Sequence, residues 1–419
     1  MNHLSLPFDL KKIEMIGQQY PTPFYLYDEQ GIINCVADLK RAFSWNKGFR
    51  EYFAVKATPN PAILKLLFAL GCGVDCASEA ELMLCNRLGI THEDVIFTSN
   101  DTPAEEYQLA RQLGAIINLD AAEHVDYLLD CVGVPETICL RYNPGKDLVT
   151  PNVIMGDMKS AKFGMTKAQI FASVKKLAAR GTKHFGIHAM LASNTLEASY
   201  FPMLARELFS LVLELRDTFG VTVSFVDLAG GIGIPYRPEE TAVDILEIGD
   251  AVRRVYEELL TPQGIALSIY TELGRFLTGP YGYLVTTVLH LKETYKRFLG
   301  VDASACDLLR PAMYGAYHYI TVLGKEHQAP ADKYDVTGPL CENNDKFAVD
   351  RLLPQVQVGD ILVMHDVGAY GHTMGFNCSG KLRPKELMLR SDGSVELIRR
   401  SQTIKDLFAT FDIYPEFRG

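Results

Sequence analysis

The chain has 419 residues, 48% of them hydrophobic and 22% charged, and a formal net charge of -10. That length supports a large buried core, in two domains or in one large barrel with an appendage. The acidic balance, with no basic run anywhere, excludes nucleic acid and anionic membrane surfaces as expected partners.

Met1 to Lys12 lacks the basic start and long apolar stretch of a signal sequence, and no apolar run reaches membrane-spanning length. Nine cysteines, an odd number without a CxxC pair, fit a reducing compartment better than a disulfide framework. Cys72 and Cys76 lie close, but no histidine or cysteine completes a zinc set around them. A cytoplasmic protein without metal is expected.

In chain order, residues 29–44 read as a helix, followed by short apolar runs that alternate with amphipathic helical segments. The strands are expected at Tyr52–Val55, Gly73–Ala77, Val95–Ser99, Ala115–Asp120, Thr137–Asn143, His184–Met190, Ser224–Ala229 and Leu267–Leu273. Helix starts are marked by Ser78, Thr102 and Thr166, each a hydroxyl with Glu or Gln three residues later, and Pro103 suits a first helical turn. Eight strands separated by helices predict a closed (β/α)8 barrel of the TIM type over residues 30–280, with the helix at 29–44 available as its eighth outer helix. An open doubly wound sheet is the weaker alternative.

The first strand ends in Lys56. A lysine at that place either snorkels to solvent or is partly desolvated, and desolvation lowers its pKa and makes its amine a Schiff-base nucleophile. In a parallel barrel chemistry gathers at the carboxyl ends of the strands, and Asp75, Arg141, Asn143, His188, Met190, Gly230, Gly231, Glu272 and Arg275 all fall there. His188 itself is read as a satisfied strand histidine.

Beyond Pro280 the texture changes. Tyr283–Leu291, Ile361–His365 and the runs Glu386–Arg390 and Ser394–Arg399 about an Asp-Gly turn read as β structure, so residues 281–419 are expected to form a mostly β domain, a sandwich or barrel. His318, His365 and His372 there have no metal-ligand company and are read as structural.

Several constellations stay ambiguous one by one. The run from Gly230 to Gly233 either turns tightly or offers backbone N–H groups to a phosphate, and it is neither a Walker loop nor a dinucleotide fingerprint. Glu272 and Arg275 make either a surface ion pair or a site that holds a cationic ring and an anion. Cys341, beside Glu342, suits proton donation better than nucleophilic attack, and Arg310 could meet a carboxylate.

Taken together and in order, these segments resemble the pyridoxal-phosphate-dependent decarboxylases of the alanine-racemase fold, and within them the diaminopimelate decarboxylases. The matching runs are Pro23–Asp28, Phe53–Ala57, Gly230–Gly233, Glu272–Arg275, Arg310–Tyr314, Gly338–Glu342 and His365–Tyr370, which cover most of the chain. The resemblance implies that Lys56 forms the Schiff base with pyridoxal 5'-phosphate, that Glu272 pairs with the pyridine nitrogen, and that the glycine loop, Arg275 and Tyr370 hold the phosphate end. It further implies that Arg310 and Tyr314 bind the substrate's distal carboxylate, that Glu342 meets its distal amine, and that Cys341 protonates the α-carbon. Arg275 and Tyr370 then border the substrate as well. Cys341 and Glu342 would serve a partner subunit's cofactor in a homodimer, and residues 1–29 would join the β domain.

One departure stands out. The family's His-x-His-Ile-Gly-Ser run reads His188-Ala189-Met190-Leu191-Ala192-Ser193 here, so Met190 takes the place of the histidine that stacks on the cofactor and Ser193 that of the serine. A thioether can cover an aromatic face for about 1 kcal/mol but carries no proton. Leu273 likewise replaces a proline. The expected reaction is decarboxylation of meso-2,6-diaminopimelate to L-lysine. Another basic amino acid, namely ornithine, lysine, arginine or a carboxylated polyamine, is the alternative substrate, and a non-catalytic relative is the third reading. A racemase is disfavoured, because racemases of this fold carry arginine where this chain has Glu272.

Overall fold

The computed structural model describes residues 5–146, 148 and 156–417; the remaining residues of the segments assigned above lie outside it. The chain divides into two compact units. One comprises Ile33–Ile234 and Thr241–Leu277, the other Met1–Ile32, Pro235–Glu240 and Thr278–Gly419.

The described chain opens with α1 (Leu10–Gln19), β1 (Phe24–Asp28) and α2 (Glu29–Ala42). A closed barrel follows, built from β2 (Arg50–Ala54), β3 (Gly73–Cys76), β4 (Val95–Thr98), β5 (Ile116–Leu119), β6 (Thr137–Arg141), β7 (His184–His188), β8 (Thr222–Asp227) and β9 (Ser268–Thr271). All neighbours run parallel, and β9 closes on β2 through Tyr270 opposite Arg50 and Thr271 opposite Glu51. The expected barrel is the observed one.

Between the strands lie α3 (Pro61–Ala69), α4 (Glu79–Arg87), α5 (Ala104–Gln112), α6 (His124–Val132), α7 (Lys167–Arg180), α8 (Tyr200–Phe219) and α9 (Ile245–Leu259). Ser78 caps α4 by accepting from the Glu81 N–H, and Thr166 with Gln169 forms a reciprocal capping box on α7. The third expected cap is not made: α5 starts at Ala104 behind Pro103, which takes the cap position itself, so neither Thr102 nor a proline inside the first turn begins that helix. An apolar stripe of Ile245, Ile248, Val252 and Val255 fixes the buried face of α9.

Strand alternation sorts the barrel's side chains into layers. Tyr52, Phe225 and Tyr270 stack across β2, β8 and β9, with centroids 4.9 and 4.6 Å apart. Gly186 of β7 makes room for them, because a Cβ there would lie 2.1 Å from the Phe225 ring. Two residues further along the same faces come Asp75, His188, Asp227 and, past the end of β9, Glu272. A floor of rings therefore carries a layer of ionisable groups.

After α10 (Gly274–Thr278) the second unit is mostly β. It contains β10 (Gly282–Glu293), β11 (Arg297–Val301), the short α11 (Arg310–Tyr314), β12 (Ile320–Val322), β13 (Asp332–Thr337), β14 (Lys346–Leu353), β15 (Ile361–Met364), β16 (Lys385–Leu389) and β17 (Val395–Arg399). Strand β1 lies between β10 and β16 in this sheet, antiparallel to the first and parallel to the second. The hairpin about Asp392-Gly393 forms as expected, β16 against β17. Phe24, Leu26, Val285, Val363 and Leu387 form the centre of its core. Among the described residues, no helix is long and apolar enough to cross a membrane.

Candidate active site

The barrel strands are shorter than the apolar runs that announce them, so the chemistry sits on the turns just beyond. Lys56 is not a strand residue: β2 stops at Ala54, and Val55–Ala57 form one turn of 3-10 helix. Its side chain stays 45% exposed while its ammonium ion-pairs with the fully buried Asp75 at 2.6 Å. Burial and the nearby Glu272 raise the Asp75 pKa, and Lys56 offsets part of that rise. The lysine is thus held by a carboxylate at the rim rather than snorkelling away.

Glu272 is almost fully buried, as is Arg275, which removes a surface ion pair as the explanation for either. The Glu272 N–H donates to the Ala229 carbonyl at 2.8 Å, which ties the end of β9 to the glycine loop. Glu51 braces the same turn, accepting from the Thr271 hydroxyl at 2.6 Å and from the Leu273 N–H at 2.7 Å. Burial lifts the Glu51 pKa to about 8.

His188 corrects the expectation of a satisfied strand histidine. It is buried, neither ring nitrogen reaches a hydrogen-bond partner, and Nε2 stands 3.6 Å from Glu272 Oε2. Burial pushes the Glu272 carboxyl up, but His188, Lys56 and Arg141 together outweigh it and hold Glu272 below its ordinary value. Glu272 Oε1 has no hydrogen-bond partner, so an ionised, pre-aimed acceptor remains for a ligand. Arg141 pairs with Asp120 at 3.0 Å and packs over the Phe163 ring.

The glycine loop is pinned to the segment after β7. Thr195 N–H donates to the Gly231 carbonyl at 2.9 Å, Gly233 N–H to the Thr195 carbonyl at 2.8 Å, and Ile234 N–H to Asn194 Oδ1 at 3.1 Å. A Cβ on Gly230 would lie 2.7 Å from the Glu272 carbonyl oxygen, and Gly231 has φ +114°. Met190 Cε lies 3.8 Å from that same Cβ position, and Ser193 is buried nearby in sequence. We expect Gly230→Ala to displace the Glu272 turn and weaken cofactor affinity about tenfold or more, in a titration followed by absorbance. Unchanged affinity would detach the loop from the site.

The other expected site residues belong to the β unit. Arg310 is buried, with Nη1 donating to the Tyr236 hydroxyl at 2.7 Å and lying 3.4 Å from His318 Nε2. Its neighbourhood is strongly cationic: Arg351 donates to the His318 carbonyl at 2.8 Å, and Arg351 and Arg237 both pack on the Tyr317 ring, at 4.0 and 4.7 Å. Among the described residues Arg351 has no carboxylate partner. Asp366 is buried close by, its pKa raised to about 8 by burial against the opposing pull of Arg310. Tyr314 is half-buried, Tyr370 half-buried with φ +56°, and Cys341 and Glu342 lie exposed in the β13–β14 turn. His318 and His365 are buried in hydrogen bonds, and burial lowers His372 to about 4.

Sequence reading passed over Glu51, Asp120 and Asp227. Each is an acid within or directly after an apolar strand, and that isolation was the available signal. Lys56, Glu272 and the glycine loop share the barrel rim, whereas Arg310, Tyr314, Cys341, Glu342 and Tyr370 are held by the other unit.

The donors fit a planar, anionic aldehyde cofactor. A Cβ-free loop suits a phosphate, an unpartnered buried carboxylate suits a protonated ring nitrogen, and an ion-paired, half-exposed lysine suits the aldehyde. A closed parallel barrel with such groups at its carboxyl rim, in one chain with a β sheet unit, defines a barrel enzyme of the pyridoxal-phosphate class.

Comparison with known proteins agrees. The family described as "Pyridoxal-dependent decarboxylase, pyridoxal binding domain" matches residues 31–279. Protein TabA of Pseudomonas amygdali pv. tabaci is 39% identical over 94% of this chain and 92% of its own length. A diaminopimelate decarboxylase of Methanothermobacter thermautotrophicus is 33% identical over the same shares, 94% and 92%. The crystal structure of the Helicobacter pylori diaminopimelate decarboxylase complexed with L-lysine is 28% identical, covers 96% of this chain and 99% of that one, and superposes with a TM-score of 0.87. The chain belongs to the pyridoxal-dependent decarboxylases: it is a carboxy-lyase, and its cofactor is pyridoxal phosphate.

Proposed function

We propose that this protein decarboxylates meso-2,6-diaminopimelate to L-lysine and CO2, the closing reaction of a lysine biosynthesis. The observation that carries the substrate is the cationic crowd about Arg310, where Arg351 lacks a carboxylate among the described residues. A diamine precursor ends in a cation, which that surface repels. Diaminopimelate ends in a carboxylate, which a guanidinium meets bidentately. The relatives named diaminopimelate decarboxylase support the same choice.

When bound, the cofactor supplies an electron sink for the pair released as the α-carboxylate leaves. Lys56 would hold its aldehyde carbon, with Asp75 fixing the amine's position at 2.6 Å. Glu272 would keep the ring nitrogen protonated, since His188 and Lys56 favour its ionised form. Gly230, Gly231, Gly233, Ser193, Arg275 and Tyr370 would hold the phosphate end, and Met190 would cover the ring. Arg310 and Tyr314 would take the distal carboxylate and Glu342 the distal amine. Cys341 Sγ–H would deliver the proton to the α-carbon.

Cys341 and Glu342 are exposed on their turn, which supports the reading that they complete a partner subunit's site in a homodimer. Nine free cysteines support a reducing, cytoplasmic setting. The direct experiment measures CO2 release from meso-diaminopimelate, lysine, ornithine and arginine by protein loaded with pyridoxal phosphate. We expect release from diaminopimelate alone. Preference for a diamine precursor would overturn the substrate, and release from none would overturn the site assignment as well.

A further inference from the structure

One buried acid has no part in that scheme. Asp227, at the end of β8, is fully buried, and its single hydrogen bond is Oδ1 accepting from the Ala229 N–H at 2.7 Å. Oδ2 has no partner. An oxygen of Asp227, an oxygen of Glu272 and a ring nitrogen of His188 all lie within 4.8 Å of one another. The titratable groups that act on Asp227 or feel it come from every neighbouring strand: Tyr52 from β2, Asp75 from β3, Cys139 from β6, His188 from β7, and Tyr270 and Glu272 from β9 and its end.

Charge balance decides the state of this cluster. Lys56 ion-pairs with Asp75 at 2.6 Å, and His188 Nε2 stands 3.6 Å from Glu272 Oε2. No lysine or arginine of the described residues ion-pairs with Asp227, and its Oδ2 meets no donor. Two adjacent buried carboxylates repel when both are ionised, and a proton on one of them removes that repulsion. Oδ2 is the atom of Asp227 left open for it.

We propose that Asp227 is a positioning residue: it carries a proton on Oδ2, offers that proton to Glu272, and so makes Glu272 the single carboxylate ion facing the ring of the cofactor. Burial and Glu272 both push the Asp227 pKa far up, in the same direction. Ala229, whose N–H binds Asp227 and whose carbonyl binds the Glu272 N–H, stands at φ +54° and clamps the two acids into one turn. The inference rests on the proposed role of Glu272 only for its catalytic consequence.

Two variants test it. Asp227→Asn keeps an acceptor for Ala229 and an N–H donor for Glu272, whereas Asp227→Leu keeps the size and neither group. The first measurement uses cofactor-free protein, thermal melting of wild type and D227N against pH. An acid with a raised folded pKa contributes stability below its unfolded value of about 3.9 and loses it as pH rises toward the folded one. The melting temperature of wild type should therefore fall relative to D227N as pH rises above about 4. A constant difference would show Asp227 ionised in the fold and overturn the proposal, whatever the cofactor does.

The second measurement follows the pH at which the bound cofactor's absorbance changes. Loss of a neutral donor destabilises the Glu272 ion, so D227L should move that transition and lower kcat roughly tenfold, with D227N restoring both. A shift in D227N equal to that in D227L would overturn the donor role. Failure of wild type to bind the cofactor would sink the Glu272 assignment and leave the melting result standing.

Discussion

Lys56→Ala should lose at least about a thousandfold in decarboxylation rate while remaining folded. The side chain is 45% exposed and ion-pairs with Asp75 at the rim, so truncation removes little buried surface. It does leave the fully buried Asp75 without its cation, and that acid will then take up a proton. Absorbance separates the readings: the variant should lose the band of covalently held cofactor even where it retains the cofactor non-covalently. A second outcome follows from the proposal that Cys341 completes a partner subunit's site. K56A mixed and refolded with Cys341→Ala should recover activity, because one of the two sites in a mixed dimer keeps both residues. Retained activity in K56A, or no recovery in a confirmed mixed dimer, would refute the lysine's role or the shared site respectively.

Arg310→Ala should divide the substrates. Truncating one partner of a buried charged pair costs about 2–5 kcal/mol, a fall of roughly 30- to 4,000-fold in kcat/KM for diaminopimelate. Any slow turnover of lysine or ornithine, which have no distal carboxylate, should stay within about threefold. Melting must accompany the assay, because Arg310 also holds the Tyr236 hydroxyl and packs against its ring. An equal loss on every substrate would make Arg310 a structural residue, and no loss at all would place the distal carboxylate elsewhere.

The barrel was legible because each strand is an apolar run bounded by turn and cap residues, and alternation with helices leaves few topologies. Strand ends were overread. His184–Met190 and Leu267–Leu273 read as whole strands, yet the regular strands end at His188 and Thr271, and single backbone bonds such as Glu272 N–H to the Ala229 carbonyl carry on past them. Thr102 had the spacing of a cap and is not one, because Pro103 takes that place. His188 looked satisfied because a strand histidine usually finds a partner, and nothing local shows that both ring nitrogens would be left open beside Glu272.

The sequence by itself determined the fold class and the kinds of side chain at the rim, because hydrophobic period and turn chemistry are local properties written in neighbouring residues. It also carried the order of motifs that marks a pyridoxal-dependent decarboxylase. Only the tertiary structure decided which charges meet: Lys56 with Asp75, Glu272 with His188 and Asp227, Arg310 with Tyr236 and His318. Those partners stand from 8 to 84 residues apart in the chain. Their protonation depends on burial and on the sum of neighbouring charges, which exist once the barrel has closed.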